Sequence, residues 1–262
     1  MPELIDDFLN SQILYSGLCE PYRDFDWLAF KKGIVGKAIS PTISESNRLG
    51  KQVENYFRVC VEHHPDYELV ASNIQVFDEN RTLGEFDFIL RKGHQLIHVE
   101  LVYKIYLNLV SGVFVGPNNN DSLVRKRTHL KNNQLPLLNS ESGRSAIQAL
   151  GLDPKSIQQR VLFLGQLFQS EEEPNNELGR DVVYDGKWIS RDVLTLAQES
   201  LFYIPEKKFW IASAPKEDVG WVTFSIALKQ IDKCMETKRS IMLWEKTVQG
   251  DLIKSMVTWF SK

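Results

Sequence analysis

Two neighbouring segments decide the fold of this chain: Leu83-Gly-Glu-Phe-Asp-Phe-Ile-Leu-Arg91 and His98-Val-Glu-Leu-Val-Tyr-Lys-Ile-Tyr106. Polar and apolar residues alternate in both, which is typical of β-strands because successive side chains point to opposite faces. The acids Glu85 and Asp87 share one face of the first strand, and Glu100 lies on the polar face of the second. The opposite faces are apolar and are expected to bury against helices. The pattern predicts two neighbouring strands that bring three carboxylates to one surface.

This polar surface has two interpretations that the pattern alone leaves open. Like charges held together cost free energy unless a cation or a proton offsets them, and Mg²⁺ takes oxygen ligands. One interpretation is therefore a metal site for phosphodiester chemistry, with Lys104 on the same face as Glu100. The other is a solvated strand face, which is normally polar. On that view His98 is a strand-face residue that hydrogen-bonds to its neighbours.

A helix is predicted before these strands, starting at Ser46 or Asn47 and closed by Pro65. Its apolar residues recur at three-to-four-residue spacing, at Leu49, Val53, Phe57 and Cys60. Glu54 lies at the edge of the buried stripe, where an acid has two explanations. It is either a rim residue paired with Arg58 or a carboxylate directed into the site.

A second helix is predicted after the strands, because Gly116-Pro-Asn-Asn-Asn120 is dense in turn residues and Asp121 is placed to cap a helix that begins directly after it. Its core side is formed by leucines at heptad spacing, Leu123, Leu130 and Leu137. Basic residues cover the rest of it: Arg125, Lys126, Arg127, His129 and Lys131. Such a run is a solvated helix face or, beside a metal site, a clamp for phosphates.

These motifs resemble the PD-(D/E)XK nuclease superfamily, whose order is a helix with an acid, then G-E-x-D, then a second strand with an acid and a lysine. The stretch from His98 to Gln134 is similar to a bacterial family, the domain of unknown function 1853, which is counted in that superfamily. The convincing part of the match spans about residues 44 to 138. The resemblance implies that Asp87, Glu100 and Glu54 take the roles of the superfamily's acids.

Lys104 departs from the superfamily's spacing. The usual lysine stands two residues after the acid, where this chain has Val102, and Lys104 stands four residues after Glu100. The face of the strand is the same, but at ~3.3 Å per residue the two α-carbons are ~13 Å apart instead of ~7 Å. Gln134 also resembles, in its position, a glutamine that follows the lysine on a helix in some members of the superfamily.

Composition limits the remaining possibilities. The 262 residues include 43% hydrophobic residues, enough for a core, and the formal net charge of −3 argues against a surface that is basic throughout. The three cysteines are far apart and indicate neither a disulfide framework nor a thiolate zinc site, which fits a reducing compartment. No apolar run is long enough to span a membrane, and no basic stretch precedes an apolar one near Met1. A cytoplasmic location with no membrane partner is the expectation.

The fold class predicted is α/β, a restriction-endonuclease-like core with a central mixed β-sheet flanked by helices. We expect a helical lead-in over 1–43, the nuclease-like core over 44–168, and a C-terminal α+β extension over 169–262 packed on the core. Within the extension, strands are predicted at 209–212, 221–224 and 241–244, joined by amphipathic stretches around 225–236, and a last helix is predicted near 251–260. The acidic tract 169–177 is predicted to be a loop or linker.

The predicted activity is divalent-metal-dependent hydrolysis of a nucleic-acid phosphodiester with Mg²⁺ or Mn²⁺. The catalytic candidates are Asp87, Glu100, Lys104 and Glu54, and the metal-ligand candidates are Asp87, Glu100 and Glu85. The candidates for contact with nucleic acid are Lys126, Arg127, His129 and Gln134. The alternatives are a nuclease-derived module without turnover that binds nucleic acid or a protein, and a hydrolase of another phosphate ester.

Overall fold

The structure is a computed structural model that describes residues 2–14, 17, 21–37, 39, 48–79, 81–109, 112–171, 183–215 and 219–261. The chain forms two compact units. The first unit comprises Met1–Glu45, Gly50–Tyr103 and Arg125–Leu164, and the second comprises Ser46–Leu49, Lys104–Val124 and Gly165–Lys262. The protein is of the mixed α/β class, with a large central sheet of parallel and antiparallel strands flanked by helices.

Six α-helices and twelve β-strands are present among the described residues. The helices are α1 (Pro2–Leu9), α2 (Trp27–Lys32), α3 (Leu49–Glu62), α4 (Leu123–His129), α5 (Glu141–Gln148) and α6 (Phe224–Glu236). The strands are β1 (Gln12–Ile13), β2 (Arg23–Asp24), β3 (Glu68–Asp78), β4 (Arg81–Lys92), β5 (Gln95–Asn108), β6 (Phe114–Val115), β7 (Ile157–Ser170), β8 (Gly186–Ser190), β9 (Leu201–Tyr203), β10 (Val222–Thr223), β11 (Ile241–Lys246) and β12 (Leu252–Thr258). No helix in the described part of the chain is long and apolar enough to cross a membrane.

The first unit is organised around the strand order β7-β5-β4-β3. Strands β3, β4 and β5 form successive antiparallel pairs, and the turn between β4 and β5 contains Gly93 at a positive φ of 58°, which glycine adopts without steric cost. The short strand β2 pairs in parallel with the start of β7. The two predicted acid-bearing strands are therefore neighbours, as expected from their alternation.

Two apolar clusters enclose β4. Phe88 contacts Phe57 of α3 with ring centroids 4.9 Å apart, whereas Phe86 lies 5.1 Å from the ring of His98. Phe86 belongs to the cluster that contains Ile89, although residues three apart lie on opposite faces of a regular strand. The prediction of one wholly apolar face on this strand is therefore wrong. The alternation of side chains between the two faces is interrupted at Asp87, just beyond the last paired residues of β4 and β5.

Gly84 shows how closely this second cluster approaches the strand. A Cβ atom at this position would lie 3.0 Å from Leu137 Cδ2, which is tighter than an ordinary van der Waals contact. Leu137 belongs to a 3₁₀ turn, Leu135–Asn139, that follows a π turn over Leu130–Gln134 at the end of α4. The predicted core positions Leu123, Leu130 and Leu137 are all buried.

The second unit contains the strand order β10-β9-β11-β12-β8-β7. Helix α6 buries Ala227 and Ile231 in a cluster with Phe202, Leu243 and Val257 from the strands. The amphipathic stretches predicted around 225–236 form α6, and the predicted strand 241–244 is confirmed as part of β11. The helix predicted near 251–260 is wrong, because these residues form β12 and pair antiparallel with β11. The strand predicted at 209–212 is also wrong, because a 3₁₀ turn, Lys207–Phe209, and a further turn occupy this region.

At the N-terminus, the predicted helical lead-in contains α1 and α2 together with the short strands β1 and β2. The predicted helix starts at Ser46 and Asn47 lie outside the described residues, as does most of the tract 169–177.

Candidate functional site

Asp87 and Glu100 form a buried carboxylate pair in the first unit. The backbone ladder between β4 and β5 extends to Phe88 and Val99, and just beyond it Asp87 Oδ2 accepts a hydrogen bond of 2.8 Å from the N–H of Leu101. The Asp87 side chain thus satisfies a backbone donor at the point where the strands stop pairing. Asp87 is 6% exposed and Glu100 is 1% exposed. This is not the solvated strand face of the second interpretation.

Burial raises the pKa of both carboxyls. The pKa of Asp87 rises to about 7, mainly by desolvation and further by the charges of Glu54 and Glu85, while the Leu101 N–H and Lys126 act in the opposite direction. The pKa of Glu100 is raised well above its usual range, first by desolvation and then by the Asp87 charge. Two neighbouring buried anions at neutral pH need a cation or a proton between them.

A chain of polar contacts links Glu100 to α4. Lys126 Nζ donates to Gln134 Oε1 at 2.7 Å, and Gln134 Nε2 donates to Glu100 Oε1 at 2.6 Å. The π turn after α4 carries Gln134, so the helix and its irregular extension present both side chains to the same carboxylate. The Lys126 charge lowers the pKa of both Asp87 and Glu100. Glu100 Oε2 has no hydrogen-bond partner among the described residues.

Glu54 and Glu85 belong to a second group of charges at the same site. Lys51 Nζ lies 2.6 Å from Glu54 Oε2 and 3.7 Å from Glu85 Oε1. Glu85 also accepts a hydrogen bond of 2.6 Å from Gln75 Nε2. Glu54 is therefore paired with Lys51, one turn before it on α3, and not with the predicted Arg58. Both acids are partly exposed, and their charges act on Asp87 and Glu100.

His98 is buried next to the carboxylate pair and is fully enclosed, at 0% exposure. Its pKa is lowered to about 4 by desolvation, so the ring is neutral at physiological pH. Nδ1 lies 3.4 Å from Gln159 Nε2, and Nε2 lies 3.9 Å from Glu100 Oε2, too far for a hydrogen bond. The neutral ring adds no charge to the site and forms part of its apolar wall with Phe86.

Lys104 has a partner of its own. Its Nζ lies 2.6 Å from Asp121 Oδ2, and Asp121 Oδ1 accepts the N–H of Ser122 just before α4 begins. Both Lys104 and Asp121 belong to the second unit, whereas Asp87, Glu100, Glu85 and Glu54 belong to the first. Val102, where the superfamily's usual lysine would stand, is buried at 3% exposure.

The predicted nucleic-acid contacts divide into two sets. Arg127 and His129 are exposed on α4, together with Arg125 and the nearby Lys131. Lys126 and Gln134 are partly buried; Lys126 donates to Gln134, and Gln134 donates to Glu100. Only the first set lies on a solvent-exposed basic face, which we call the α4 basic face and define as Arg125, Arg127, His129 and Lys131.

The donor set suits a metal that needs few protein ligands. Within the described ranges, no group of three or more His, Cys, Asp and Glu side chains is arranged to hold a metal ion. Mg²⁺, however, is commonly bound by one or two carboxylates and keeps waters or phosphate oxygens for the remaining positions. A buried pair of carboxylates with one oxygen lacking a hydrogen bond fits that requirement.

Sequence reasoning missed three features of this site. Lys51 stands three residues before Glu54, a spacing that places two side chains on the same helix face and could have revealed it. The link from Lys126 through Gln134 to Glu100 depends on the π turn after α4, for which the sequence carries no clear signal. The burial of His98 depends on Phe86, whose position breaks the strand alternation.

Fold and site together define a mixed α/β protein with a buried carboxylate pair, one member of which is joined through Gln134 to Lys126. A family model described as Domain of unknown function (DUF1853) matches residues 27–255. The chain belongs to this family. No curated protein and no solved structure matches the chain.

Proposed function

We propose that the protein is a divalent-metal-dependent nuclease whose site is the carboxylate pair of Asp87 and Glu100. The observation that carries the proposal is the burial of two adjacent acids, one with an oxygen that lacks a hydrogen bond among the described residues. Burying two like charges without a cation is costly, so such a pair is more readily explained by ligand binding than by stability. The resemblance to the PD-(D/E)XK superfamily in this stretch supports the same activity.

Asp87 and Glu100 would hold Mg²⁺ or Mn²⁺, and Glu85 and Glu54 would act on the metal through coordinated water. The bound metal would lower the pKa of a coordinated water and offset charge on the phosphate. The Leu101 N–H orients the Asp87 carboxylate, and Gln134 orients the Glu100 carboxylate, so both are held in place before ligand binding. Held in place in this way, they need little reorganisation when metal and substrate bind.

Lys126 is the lysine that the geometry favours for catalysis. It is joined to Glu100 through Gln134 and its charge acts on both carboxylates, whereas Lys104 is engaged by Asp121. A lysine beside the carboxylates would stabilise negative charge that develops on the phosphate. In this proposal Lys126 replaces the lysine that the superfamily carries on its strand.

Matched lysine variants test this assignment. Lys126→Ala is expected to reduce Mg²⁺-dependent cleavage of a DNA and RNA panel by about a hundredfold or more, because one charge-stabilising group is lost. Lys104→Ala should change the rate by less than about threefold, since its pair with Asp121 is partly exposed and such pairs contribute little. Initial rates at saturating metal provide the measurement, and Lys155→Ala, an exposed lysine elsewhere, is the control. A large loss of cleavage rate in Lys104→Ala with none in Lys126→Ala would assign the catalytic role to Lys104.

The α4 basic face is proposed to contact the nucleic-acid backbone. Replacing Arg127 and Lys131 together with Ala should weaken binding and reduce the slope of log affinity against log salt by up to about two, because each contact to a phosphate releases counterions. Binding is measured in EDTA by fluorescence anisotropy over a salt series. The same affinity and slope in parent and variant would identify this face as an ordinary solvated helix surface.

The second candidate is a nuclease-derived module that binds nucleic acid or a protein without turnover. The pair between Lys104 and Asp121, together with a buried Val102 at the usual lysine position, favours it. On this view metal binds at Asp87 and Glu100, but no substrate in the panel is cleaved. Calorimetric titration with Mn²⁺ alongside the cleavage assay separates the two, since metal binding without cleavage supports the module and binding with cleavage supports the nuclease.

A further inference from the structure

A polar cavity lies away from the carboxylate pair in the first unit, where β2 meets the start of β7. It has a volume of about 400 Å³ and is lined by residues 21–23 and 157–160. Ligand pockets of proteins commonly have volumes of ~300–1,000 Å³, so the cavity can hold a small polar group. The nuclease proposal makes no use of it.

Two arginines dominate this cavity. Arg23 and Arg160 are register partners on neighbouring parallel strands, and partnered residues project to the same side of a sheet with strands ~4.8 Å apart. None of the ion pairs formed among the described residues includes either arginine. The Arg160 guanidinium donates instead to neutral acceptors, the Gln159 carbonyl at 3.1 Å and the Gln158 side chain.

The surroundings add to this positive charge. Burial lowers the pKa of Arg160, and the Arg23 charge lowers it further, while Tyr67 acts in the opposite direction. Tyr67 is itself covered by a cation, since Lys92 Nζ lies 4.8 Å from its ring centroid and 3.3 Å from its hydroxyl. The groups that act on Arg160 include no carboxylate from the described residues. Adjacent like charges of this kind are unfavourable unless an anion joins them.

The cavity is separate from the carboxylate pair. Gln159 extends its side chain to the Leu135 carbonyl and towards His98, on the side of β7 that faces the candidate nuclease site. The next residue along the strand, Arg160, projects to the opposite face. The two arginines therefore do not contribute to metal binding at Asp87 and Glu100.

We propose that the cavity formed by Arg23 and Arg160 binds a phosphate group. A planar guanidinium fork matches the oxygens of phosphate in a bidentate manner, and two forks side by side suit a group that carries two negative charges. Tyr22, also in the lining, offers a hydroxyl and a ring beside the anion. The phosphate group has two possible sources, a small phosphate ester or the backbone of a nucleic acid.

The test uses the full-length protein and inorganic phosphate as the probe. Phosphate is expected to raise the thermal unfolding midpoint of the parent above that in chloride at equal ionic strength, because it binds only the folded state. Arg23→Gln and Arg160→Gln should each lower the apparent phosphate affinity by about tenfold or more, as expected when a hydrogen bond to a charged group is lost. Arg81→Gln, an exposed arginine on β4, is the control and should change it by less than about twofold.

Two competitors identify the source of the phosphate. Displacement of phosphate by adenosine monophosphate but not by a short single-stranded oligonucleotide indicates a small ester, and displacement by the oligonucleotide indicates a nucleic-acid backbone. Either result supports a phosphate site in the cavity if Arg160→Gln abolishes the binding. An equal response of the parent and both arginine variants to phosphate overturns the proposal, as does a parent that responds to none of the three probes. In chloride, both variants should unfold at or above the parent's midpoint, because a like-charge repulsion is removed.

Discussion

Glu100→Gln is expected to lower Mg²⁺-dependent cleavage by at least about a thousandfold and to remove most of the metal affinity. The substitution keeps the volume of the side chain and an oxygen that can accept the hydrogen bond from Gln134, but it removes the buried charge. The expected loss is large because Glu100 would hold the metal that offsets charge on the phosphate. Asp87→Asn should cause the same losses of cleavage and metal affinity. Its amide oxygen can still accept the Leu101 N–H, so the local backbone is expected to keep its structure. Cleavage rates and Mn²⁺ calorimetry provide the two measurements.

The same substitution should stabilise the metal-free protein. Burial and the Asp87 charge make ionisation of Glu100 unfavourable in the metal-free protein, and the uncharged amide does not carry this cost. The midpoint of unfolding in EDTA is therefore expected to rise in Glu100→Gln and to stay unchanged in Glu62→Gln, an exposed acid on α3. Retention of cleavage within about tenfold of the parent would exclude Glu100 from the nuclease site. A lower midpoint in EDTA would instead indicate that the charge of Glu100 stabilises the fold.

The metal-free protein is expected to lose stability as the pH rises towards neutrality. The pKa of Asp87 is raised from 3.8 to about 7 in the folded state, mainly by burial, so the folded protein holds a proton that the unfolded chain has already released. Stability falls with pH wherever the folded state binds more protons. The contribution of Asp87 is fully present below about pH 4, decreases as pH rises through about 7, and then levels off. The total is of the order of a few kcal/mol.

Urea unfolding in EDTA between pH 5 and pH 8 measures this effect. The parent should lose more free energy of unfolding over this interval than Asp87→Asn, in which the titrating group is absent. Saturating Mg²⁺ should reduce the loss in the parent, because a ligand that binds only the folded state adds stability and binds best to ionised carboxylates. Glu62→Gln should follow the parent at every pH. An equal dependence on pH in the parent and Asp87→Asn would show that Asp87 ionises normally in the folded protein.

The burial of Val102 limits one obvious experiment. Restoring the superfamily's spacing with Val102→Lys would place an ammonium group at a position only 3% exposed. The cost of burying an unpaired charge would obscure any gain in activity. Comparison of Lys126→Ala with Lys104→Ala avoids this problem, since both substitutions remove a charge that the parent already carries and neither buries a new one.

Local pattern was sufficient for much of the fold. The alternation in 83–91 and 98–106 predicted two neighbouring strands, which form the antiparallel pair of β4 and β5, and the three-to-four-residue spacing predicted α3. These elements carry their own signal because a half-buried strand or helix repeats its apolar residues with a fixed period. The family resemblance of the chain was likewise legible from the stretch His98 to Gln134, and the family model confirms it over residues 27–255.

The sequence by itself determined which acids lie on the two site strands, because the alternation that marks a strand is a local property of the sequence. Only the tertiary structure decided what surrounds those acids and which lysine accompanies them. Lys126 reaches Glu100 through Gln134 because a π turn follows α4, and Lys104 is held by Asp121, which lies 17 residues further along the chain. Leu252–Thr258 form β12 and not the predicted helix, because they pair antiparallel with β11. Strand pairing, burial and charge neutralisation depend on contacts between residues distant in sequence, and local periodicity cannot predict these contacts.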